Sequence, residues 1–251
     1  MRFFLTIEYD GSEYIGWQRQ NSGLSVQEVI ENCIYKIIQI NLNIYGSGRT
    51  DAGVHSTGQV AHVDITTKEF EENRLMDAIN AYLLDHKIKI THVRKTLDDA
   101  HARFSALSRE YEYVILNRSA PPAIEEGKVW HQRKTLNVEK MREAARCFIG
   151  THDFTSFRAS QCQSKSPIKT LDKLEVVKKE NKIFVRAKAK SFLHHQVRNI
   201  VGTLQLVGAG KCKPEEIKSV FEKKDRKSAG PTAPACGLTL VKIEFPEEIY
   251  L

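Results

Sequence analysis

The sequence has no long hydrophobic run, and this absence excludes proteins that cross a membrane with an apolar helix. No apolar stretch in the 251 residues reaches the roughly 18 residues that a membrane-spanning helix needs. Glu8 and Asp10 also interrupt the first residues, so we expect no secretory signal there. Hydrophobic residues nevertheless make up 41% of the chain, which is too many for a disordered protein. We therefore expect a globular protein with no membrane partner.

Cysteine is scarce and scattered. The five cysteines are Cys33, Cys147, Cys162, Cys212 and Cys236. No two of them have the short spacing of a zinc knuckle or a redox motif. Free thiols of this kind indicate a reducing compartment, so we expect a cytoplasmic protein with no disulfide and no structural metal.

Acidic residues do not balance the basic ones in the C-terminal part of the chain. Residues 1–95 contain 10 Lys/Arg and 12 Asp/Glu, whereas residues 96–251 contain 28 and 19, and the whole chain carries a net charge of +7. Residues 158–198 alone hold 11 basic and 3 acidic residues. Such a surface suits a polyanion such as RNA, because bound phosphates release counterions. A basic surface that only keeps the protein soluble is the alternative.

The spacing of apolar residues predicts a β-α-β-β-α-β order in the first 100 residues. The predicted elements are a strand at 2–9, a helix at 26–38, strands at 43–45 and 60–65, a helix at 70–84 and a strand at 87–94. A capping box, Ser25 to Glu28, opens the first helix. This order is typical of a ferredoxin-like unit.

A similar order follows in the second part of the chain. The predicted elements are a strand at 102–116, a helix at 137–149, strands at 172–178 and 182–190, helices at 193–207 and around Pro214, and a strand at 238–245. We therefore expect an α+β fold of two ferredoxin-like halves, residues 1–100 and 101–251. We expect one extended, antiparallel-rich mixed sheet with helices on one side and a catalytic cleft between the halves. The first half would carry the catalytic loop, and the second, basic half would bind RNA.

One segment between two predicted strands has the composition of a constrained turn. Gly48-Arg49-Thr50-Asp51-Ala52-Gly53-Val54-His55 lacks the Gly-Lys-Ser/Thr ending of a phosphate loop and the third glycine of a dinucleotide fingerprint. What remains is a carboxylate, Asp51, two residues after Arg49. In extended backbone these two side chains share a face, and a neighbouring arginine stabilises a charged carboxylate. Composition alone favours the plainer interpretation, in which Asp51 caps the turn.

The octapeptide resembles the signature of the TruA family of tRNA pseudouridine synthases. Further blocks of the chain resemble the same family, in order: residues 9–11, 16–20, 101–106, 109–113, 153–158, 192–202 and 237–240. Together these blocks span essentially the whole chain, which makes the resemblance far more specific than the octapeptide alone.

The resemblance implies an enzyme that isomerises uridine to pseudouridine at positions 38, 39 and 40 of the tRNA anticodon stem-loop. It implies a homodimer that uses no metal and no organic cofactor, with Asp51 as the nucleophile. A carboxylate can attack the sugar or base covalently, stabilise an oxocarbenium-like centre, or remove a proton from C2′. The residues alone leave these three routes open.

The resemblance also implies roles for other side chains. Arg49 would help to hold the target base out of the stack, Tyr111 would stack on the uracil and take part in the late proton transfer from C5, and Arg198 would pair with Asp51. A helix beginning near residue 193 places Arg198 in its second turn. The plain alternatives are a core position for Tyr111 and a solvated side chain for Arg198. For Tyr113, two residues further on, we favour the core.

Three more residues complete the expected substrate-binding set. Leu240 would pack against the flipped base, although a buried strand residue is its plain alternative. His195 is expected near an RNA phosphate, and Arg158 ends a block that resembles the family. The neighbouring pair His194 and His195 does not share a helix face, so we expect no metal there.

Two other functions fit part of the pattern. A non-catalytic RNA-binding module of similar fold would tolerate changes at Asp51, whereas an enzyme would not. An aspartate-dependent glycosidase would need a second catalytic carboxylate, and no acidic residue stands out as that partner.

Overall fold

The computed structural model of the protein describes all residues from 1 to 251. Five α-helices and ten β-strands, paired both parallel and antiparallel, confirm the predicted α+β class. No helix is long and apolar enough to cross a bilayer. The chain divides into two compact units: Met1–Arg109 together with Thr239–Leu251, and Glu110–Leu238. The last strand therefore packs with the first unit.

The first unit has a ferredoxin-like arrangement. Its elements are β1 (Arg2–Tyr9), α1 (Val26–Ile38), β2 (Tyr45–Gly46), β3 (His55–Asp64), α2 (Glu72–Tyr82), β4 (Ile88–Thr96) and, from its second residue onward, β10 (Leu238–Glu244). Strands β4, β1 and β3 are antiparallel neighbours, and β2 pairs antiparallel with β3. Strand β10 pairs parallel with the beginning of β3. The β-α-β-β-α-β order predicted for this part is confirmed.

The core of the first unit lies under the two helices. Alternate residues Phe3, Leu5 and Ile7 of β1 are fully buried, together with the apolar face of α1. The Ser25 side chain caps α1 by accepting a hydrogen bond from the Glu28 amide (3.2 Å), as the capping box predicts. Cys33 lies buried on α1 as a small core residue.

The second unit follows the predicted order and adds two short strands. Its elements are β5 (Ser108–Asn117, from Glu110 onward), β6 (Trp130–Gln132), α3 (Val138–Arg146), β7 (Gly150–Asp153), β8 (Ile168–Lys179), β9 (Lys182–Ala189), α4 (Gln196–Gly208) and α5 (Glu216–Lys223). Strands β5, β9, β8 and β7 are neighbours in that order, and β6 pairs with β5. The sequence pattern missed β6 and β7 because three or four residues carry no measurable period.

The predicted strand at 182–190 is present as β9, which alternates between an apolar face and a basic face that is partly neutralised. Ile183, Val185, Ala187 and Ala189 are buried on one side. On the other side, three cations form ion pairs within the second unit: Lys182 with Glu125, Arg186 with Glu112 (2.7 Å) and Lys188 with Glu110 (3.2 Å). Fewer positive charges of this strand are therefore available to RNA than the sequence suggested.

Several predicted boundaries were wrong, and three of them lie next to the blocks that resemble the family. Strand β3 begins at His55 rather than near residue 60, because it is buried on nearly its whole length and shows no alternation there. Strand β5 begins at Ser108 rather than at residue 102, because residues 101–107 form turns. Helix α4 begins at Gln196 rather than near residue 193, since the backbone of His195 is left-handed (φ +63°).

Candidate active site

The loop from Gly48 to His55 joins β2 to β3 and is anchored through Thr50. The Thr50 hydroxyl forms a buried hydrogen bond with the Tyr9 hydroxyl (2.8 Å), and the Thr50 carbonyl accepts from the Trp17 amide (3.1 Å). Thr50 is buried, whereas Arg49 on one side is exposed and Asp51 on the other is half-buried. This alternation supports the predicted common face for Arg49 and Asp51.

Glycines allow the loop to turn and to approach its neighbours. The Val54 amide donates to the Asp51 carbonyl (3.2 Å), which closes a turn in which Gly53 has a positive φ of +77°. Gly16, with a φ of +107°, lies so close that a Cβ atom there would be 2.5 Å from the Thr50 carbonyl oxygen. The Tyr9–Gly11 and Gly16–Gln20 blocks are thus the packing partners of the loop.

The side chain of Arg49 is oriented by a hydrogen-bond chain that leads to α1. Its Nε donates to Gln18 Oε1 (3.1 Å), and Gln18 Nε2 donates to Gln27 Oε1 (3.0 Å). Gln27 in turn donates to the buried Glu31 (2.9 Å). The guanidinium is therefore exposed but not randomly placed.

His55 is a buried residue at the exit of the loop whose contacts the sequence did not reveal. Its Nδ1 accepts a hydrogen bond from the Gly11 amide (3.0 Å) and lies 3.2 Å from Asp10 Oδ1. At the entrance, the Gly48 carbonyl accepts from Gln59 Nε2 (2.9 Å). Both ends of the loop are thus fixed, the exit by the His55 ring on the Gly11 amide and the entrance by the Gln59 side chain. In the sequence, only the block of residues 9–11, which contains the partners Asp10 and Gly11, pointed to this contact.

Arg109 is a second residue that the sequence reasoning missed. Its guanidinium is buried, and Nη2 donates to the Ser47 carbonyl (2.9 Å), the Ser47 hydroxyl (3.0 Å) and the Arg103 carbonyl (2.7 Å). A buried cation is tolerated only when its donors are satisfied. Arg109 therefore holds the backbone just before the loop.

Leu240 lies beside the exit of the loop, with its side chain in the core. In the parallel pairing of β10 with β3, Leu240 is opposite Ser56, and its carbonyl accepts from the Ser56 hydroxyl (2.9 Å). The side chain is 1% exposed. This burial favours the plain alternative, a core strand residue.

In the second unit, two tyrosines of β5 have different surroundings. Tyr111 is half-buried, and its ring meets the Phe192 ring edge-on, with centroids 5.2 Å apart at 90°. Tyr113 is fully buried and donates to the Pro234 carbonyl (2.8 Å). Burial raises the pKa of Tyr113 above its usual value. The core interpretation of Tyr113 is confirmed.

Arg198 lies in the first turn of α4, not in the second as predicted, because the helix begins at Gln196. Its Nε donates to the Ala233 carbonyl (2.8 Å), and the Ala233 amide donates back to the Arg198 carbonyl (3.1 Å). A cation near a helix N-terminus is electrostatically unfavourable. The stability of α4 therefore does not explain this arginine.

Arg158 and His195 lie in the same part of the second unit as Arg198. The Ala159 amide donates to the His194 carbonyl (2.9 Å), and Asn199 Nδ2 donates to the Phe157 carbonyl (2.8 Å). These two bonds fix the segment around Arg158 along the start of α4. The backbone of His195 is left-handed, and the ring centroids of His194 and His195 are 4.0 Å apart. Adjacent residues of a helix would not bring their rings together in this way.

Comparison with known proteins gives the class. Residues 5–105 and 144–246 match the family described as tRNA pseudouridine synthase. The matched segments contain the Asp51 loop, α4 and β10, and the chain belongs to this family. It is therefore an isomerase that pseudouridylates tRNA.

The curated relatives that match this chain over nearly their full length are named tRNA pseudouridine synthase A. The protein from Rhodospirillum rubrum is 46% identical over 99% of this chain and 89% of its own. The one from Paramagnetospirillum magneticum is 47% identical over 97% and 95%. The one from Ehrlichia ruminantium (strain Gardel) is 50% identical over 98% and 100%.

Proposed function

We propose that this enzyme converts uridine to pseudouridine at positions 38, 39 and 40 of the tRNA anticodon stem-loop, with Asp51 as the nucleophile. The observation that carries the proposal is the support of the Asp51 turn. Thr50 anchors the backbone on one side, and the bond from Val54 closes the turn on the other. Asp51 is half-buried, so its carboxylate stands on an anchored backbone and is still accessible. This is the pre-organisation that a catalytic group needs.

The reaction needs no cofactor, because its atoms and electrons balance within the nucleotide. The N1–C1′ bond breaks, the uracil rotates, and a C5–C1′ bond forms. The proton on C5 then leaves, and N1 gains one. Asp51 serves the first step as a nucleophile or by stabilising positive charge at C1′.

A uridine within a stem must leave the stack before Asp51 can reach it, which costs a few kcal/mol. We assign Arg49 to this step, because a planar guanidinium both stacks and binds phosphate. Its fixed orientation through Gln18 supports the assignment. Leu240 would contact the flipped base only after some rearrangement of the strand end, because its side chain is buried.

Residues of the second unit complete the proposed machinery. We assign Tyr111 to stacking on the uracil and to the proton transfer from C5, and Arg198 to stabilising the Asp51 carboxylate. Arg158 and His195 would contact substrate phosphates. The fixed position of the Arg198 guanidinium on the Ala233 carbonyl supports a specific role.

The test is chemical mapping of pseudouridine in an unmodified tRNA transcript. Wild type should modify only uridines at positions 38, 39 and 40. Asp51→Asn should lose at least about 10³-fold in rate, because the amide is neither nucleophilic nor charged, and it should still bind tRNA. Asp77→Asn, at an exposed carboxylate of α2, is the matched control and should keep full activity.

Three results would reject the proposal. Conversion by Asp51→Asn at the rate of the control would exclude Asp51 as the nucleophile. Modification at other tRNA positions would exclude the anticodon stem-loop as the target. A wild type that binds tRNA and converts nothing would fit a non-catalytic RNA-binding module instead.

We also propose that the enzyme works as a homodimer in the cytoplasm. Exposed apolar side chains of the first unit, among them Tyr35, Tyr82 and Leu84, supply a surface of the kind that a second copy covers. Light scattering should give twice the 28.6 kDa mass of the chain. A monomeric mass at the concentration of full activity would contradict the dimer.

A further inference from the structure

Four rings of the first unit form a continuous contact series that the proposed chemistry does not use. The ring centroids are 5.0 Å apart for Tyr45 and His62, 4.6 Å for His62 and His101, and 4.5 Å for His101 and Phe104. We call these four residues the ring ladder. His62 in the middle is 2% exposed, whereas Tyr45 and Phe104 at the two ends are 50% and 74% exposed. The ladder thus presents two aromatic faces to the surroundings on a buried support.

The support is rigid, because local hydrogen bonds fix both histidines. Nδ1 of His62 accepts from the Ala102 amide (3.2 Å), and Nδ1 of His101 accepts from the Arg103 amide (3.0 Å). The His101 amide also donates to the Ser105 hydroxyl (2.9 Å). The turn that carries Phe104 is therefore ordered before any partner arrives, which lowers the entropic cost of binding.

The ladder is uncharged in its middle and cationic beside one exposed end. Burial, followed by the charge of Arg2, lowers the pKa of His62 to about 4, and burial also lowers the pKa of His101. Beside the exposed ring, the Arg103 guanidinium lies 5.7 Å from the Phe104 centroid. A neutral aromatic face next to an arginine suits a nucleobase and its phosphate.

Arg109 connects the ladder to the catalytic loop. Its guanidinium donates both to the Ser47 carbonyl, two residues after Tyr45, and to the Arg103 carbonyl, one residue before Phe104. The two exposed ends of the ladder are therefore tied to the backbone that leads into Asp51. The catalytic loop and the ring ladder belong to the same compact unit, so an RNA strand bound at the loop can also contact the ladder.

We propose that the ring ladder is a second base-binding surface, on which Tyr45 and Phe104 each stack against an unpaired nucleobase of the tRNA other than the target uridine. Arg103 contacts the phosphate next to the base on Phe104. This inference rests on the proposed function, because it takes the substrate to be tRNA. It adds a contact that positions the RNA without taking part in bond breaking.

The test compares aromatic and aliphatic side chains at Phe104. The dissociation constant for an unmodified tRNA transcript should rise about tenfold or more in Phe104→Leu, the usual effect of losing one stacked base. Phe104→Tyr should stay within about twofold of wild type, because it keeps the aromatic face. Tyr45→Leu should also weaken binding. Leu97→Ala, at an exposed apolar side chain of the first unit outside the ring ladder, is the control and should bind as wild type.

Several outcomes would overturn the proposal. If Phe104→Leu binds tRNA as tightly as wild type, no base stacks on Phe104. If Phe104→Tyr binds as weakly as Phe104→Leu, the aromatic face of this residue is not what binds the RNA. A change in the oligomeric mass of Phe104→Leu in solution, with unaltered affinity per subunit, assigns the ladder to a second copy of the chain instead.

The activity assay separates this proposal from the proposed function. In Phe104→Leu, KM should rise with little change in kcat, because the ladder does not touch the reacting atoms. If wild type binds the transcript but forms no pseudouridine, the proposed isomerisation fails by itself. The dissociation constants of wild type and the Phe104 variants then still show whether the ring ladder binds tRNA bases.

Discussion

Buried polar side chains, rather than the carboxylate itself, determine where Asp51 lies. Thr50, His55 and Arg109 each bond to backbone or side chains on other elements of the first unit. Losing one such partner leaves a buried polar group unsatisfied, at a typical cost of about 1–3 kcal/mol. The position of the proposed nucleophile is therefore coupled to the stability of the whole unit.

At the residue scale, the sequence points to candidate residues but not to the contacts that hold them. Asp51 and Arg49 could be singled out because a short motif contains both of them. His55 and Arg109 could not, since their partners Gly11 and Ser47 are 44 and 62 residues away in the sequence. No local pattern encodes such pairs.

His62 should make stability sensitive to mild acid. Its pKa falls from 6.5 in the unfolded chain to about 4 in the folded protein, because burial disfavours the charged ring. The unfolded chain therefore binds a proton first. The contribution of His62 is complete above pH 6.5 and is lost as the pH falls towards 4, at about 1.4 kcal/mol per pH unit and about 3 kcal/mol in total.

Urea unfolding at several pH values checks this contribution. His62→Gln, which cannot titrate, should show a flatter fall in the free energy of unfolding between pH 6.5 and 4. His92→Gln, at an exposed histidine of β4, is the control and should keep the slope of the wild type. An unchanged slope in His62→Gln would contradict the neutral, buried state of this ring.

At the scale of elements, α4 and the segment from Gly230 to Ala233 form one unit of packing. A Cβ atom at Gly202 would collide with the Pro231 carbonyl oxygen, and one at Gly230 would lie 2.6 Å from the Cα of Thr203. The Asn199 side chain accepts from both Arg226 (3.0 Å) and Thr232 (2.7 Å). This close approach places the Ala233 carbonyl where it orients Arg198.

Gly202→Ala should therefore impair both stability and catalysis. In an open helix the change would stabilise by about 1 kcal/mol, but here overpacking against backbone should cost about 1–3 kcal/mol. The displaced Ala233 carbonyl should also lower kcat. Gly208→Ala on the same helix is the control, because its nearest neighbour is the flexible Met141 side chain.

Urea unfolding and steady-state kinetics measure the two effects. A Gly202→Ala variant as stable and active as the wild type would show that α4 tolerates separation from this segment. Equal losses of stability and activity in Gly202→Ala and Gly208→Ala would show that a clash with backbone is no worse than a clash with a side chain.

Elements with a long apolar face were predictable, and their ends were not. The buried stripe of α4, which includes Val197, Val201 and Leu204, follows the predicted period. The true start of α4 depends on the left-handed backbone of His195, which no apolar pattern reveals. The start of β3 was missed because strands buried on both faces lose their alternation.

At the scale of the whole molecule, charge should dominate the affinity for tRNA. The chain carries a net charge of +7 and has a pI near 9.1. Lysine and arginine contacts with phosphates release counterions, so affinity falls as salt rises. The ion pairs on β9 reduce the number of charges that can contribute.

The dissociation constant should rise steeply with salt concentration. Each phosphate contact contributes about 0.7–0.9 to the slope of log K against log salt. Anisotropy titrations between about 50 and 200 mM salt measure this slope. A nearly flat plot would contradict an electrostatic tRNA surface.

The α+β class and the β-α-β-β-α-β order of the first unit were predictable, because they depend on periodicity summed over many residues. The placement of β10 was not. Its parallel pairing with β3 joins residues 184 positions apart, such as Leu240 and Ser56. Such long-range pairing is decided by packing and not by local sequence.

The most direct test of the central claim follows the hydrogen on C5 of the target uracil. Forming the C5–C1′ bond must release that hydrogen to water, so a tRNA transcript tritiated at C5 of uridine reports each turnover. Wild type should release tritium equivalent to the uridines at positions 38, 39 and 40, and Asp51→Asn should release none above background. Tritium release by Asp51→Asn at the rate of the wild type would contradict the account.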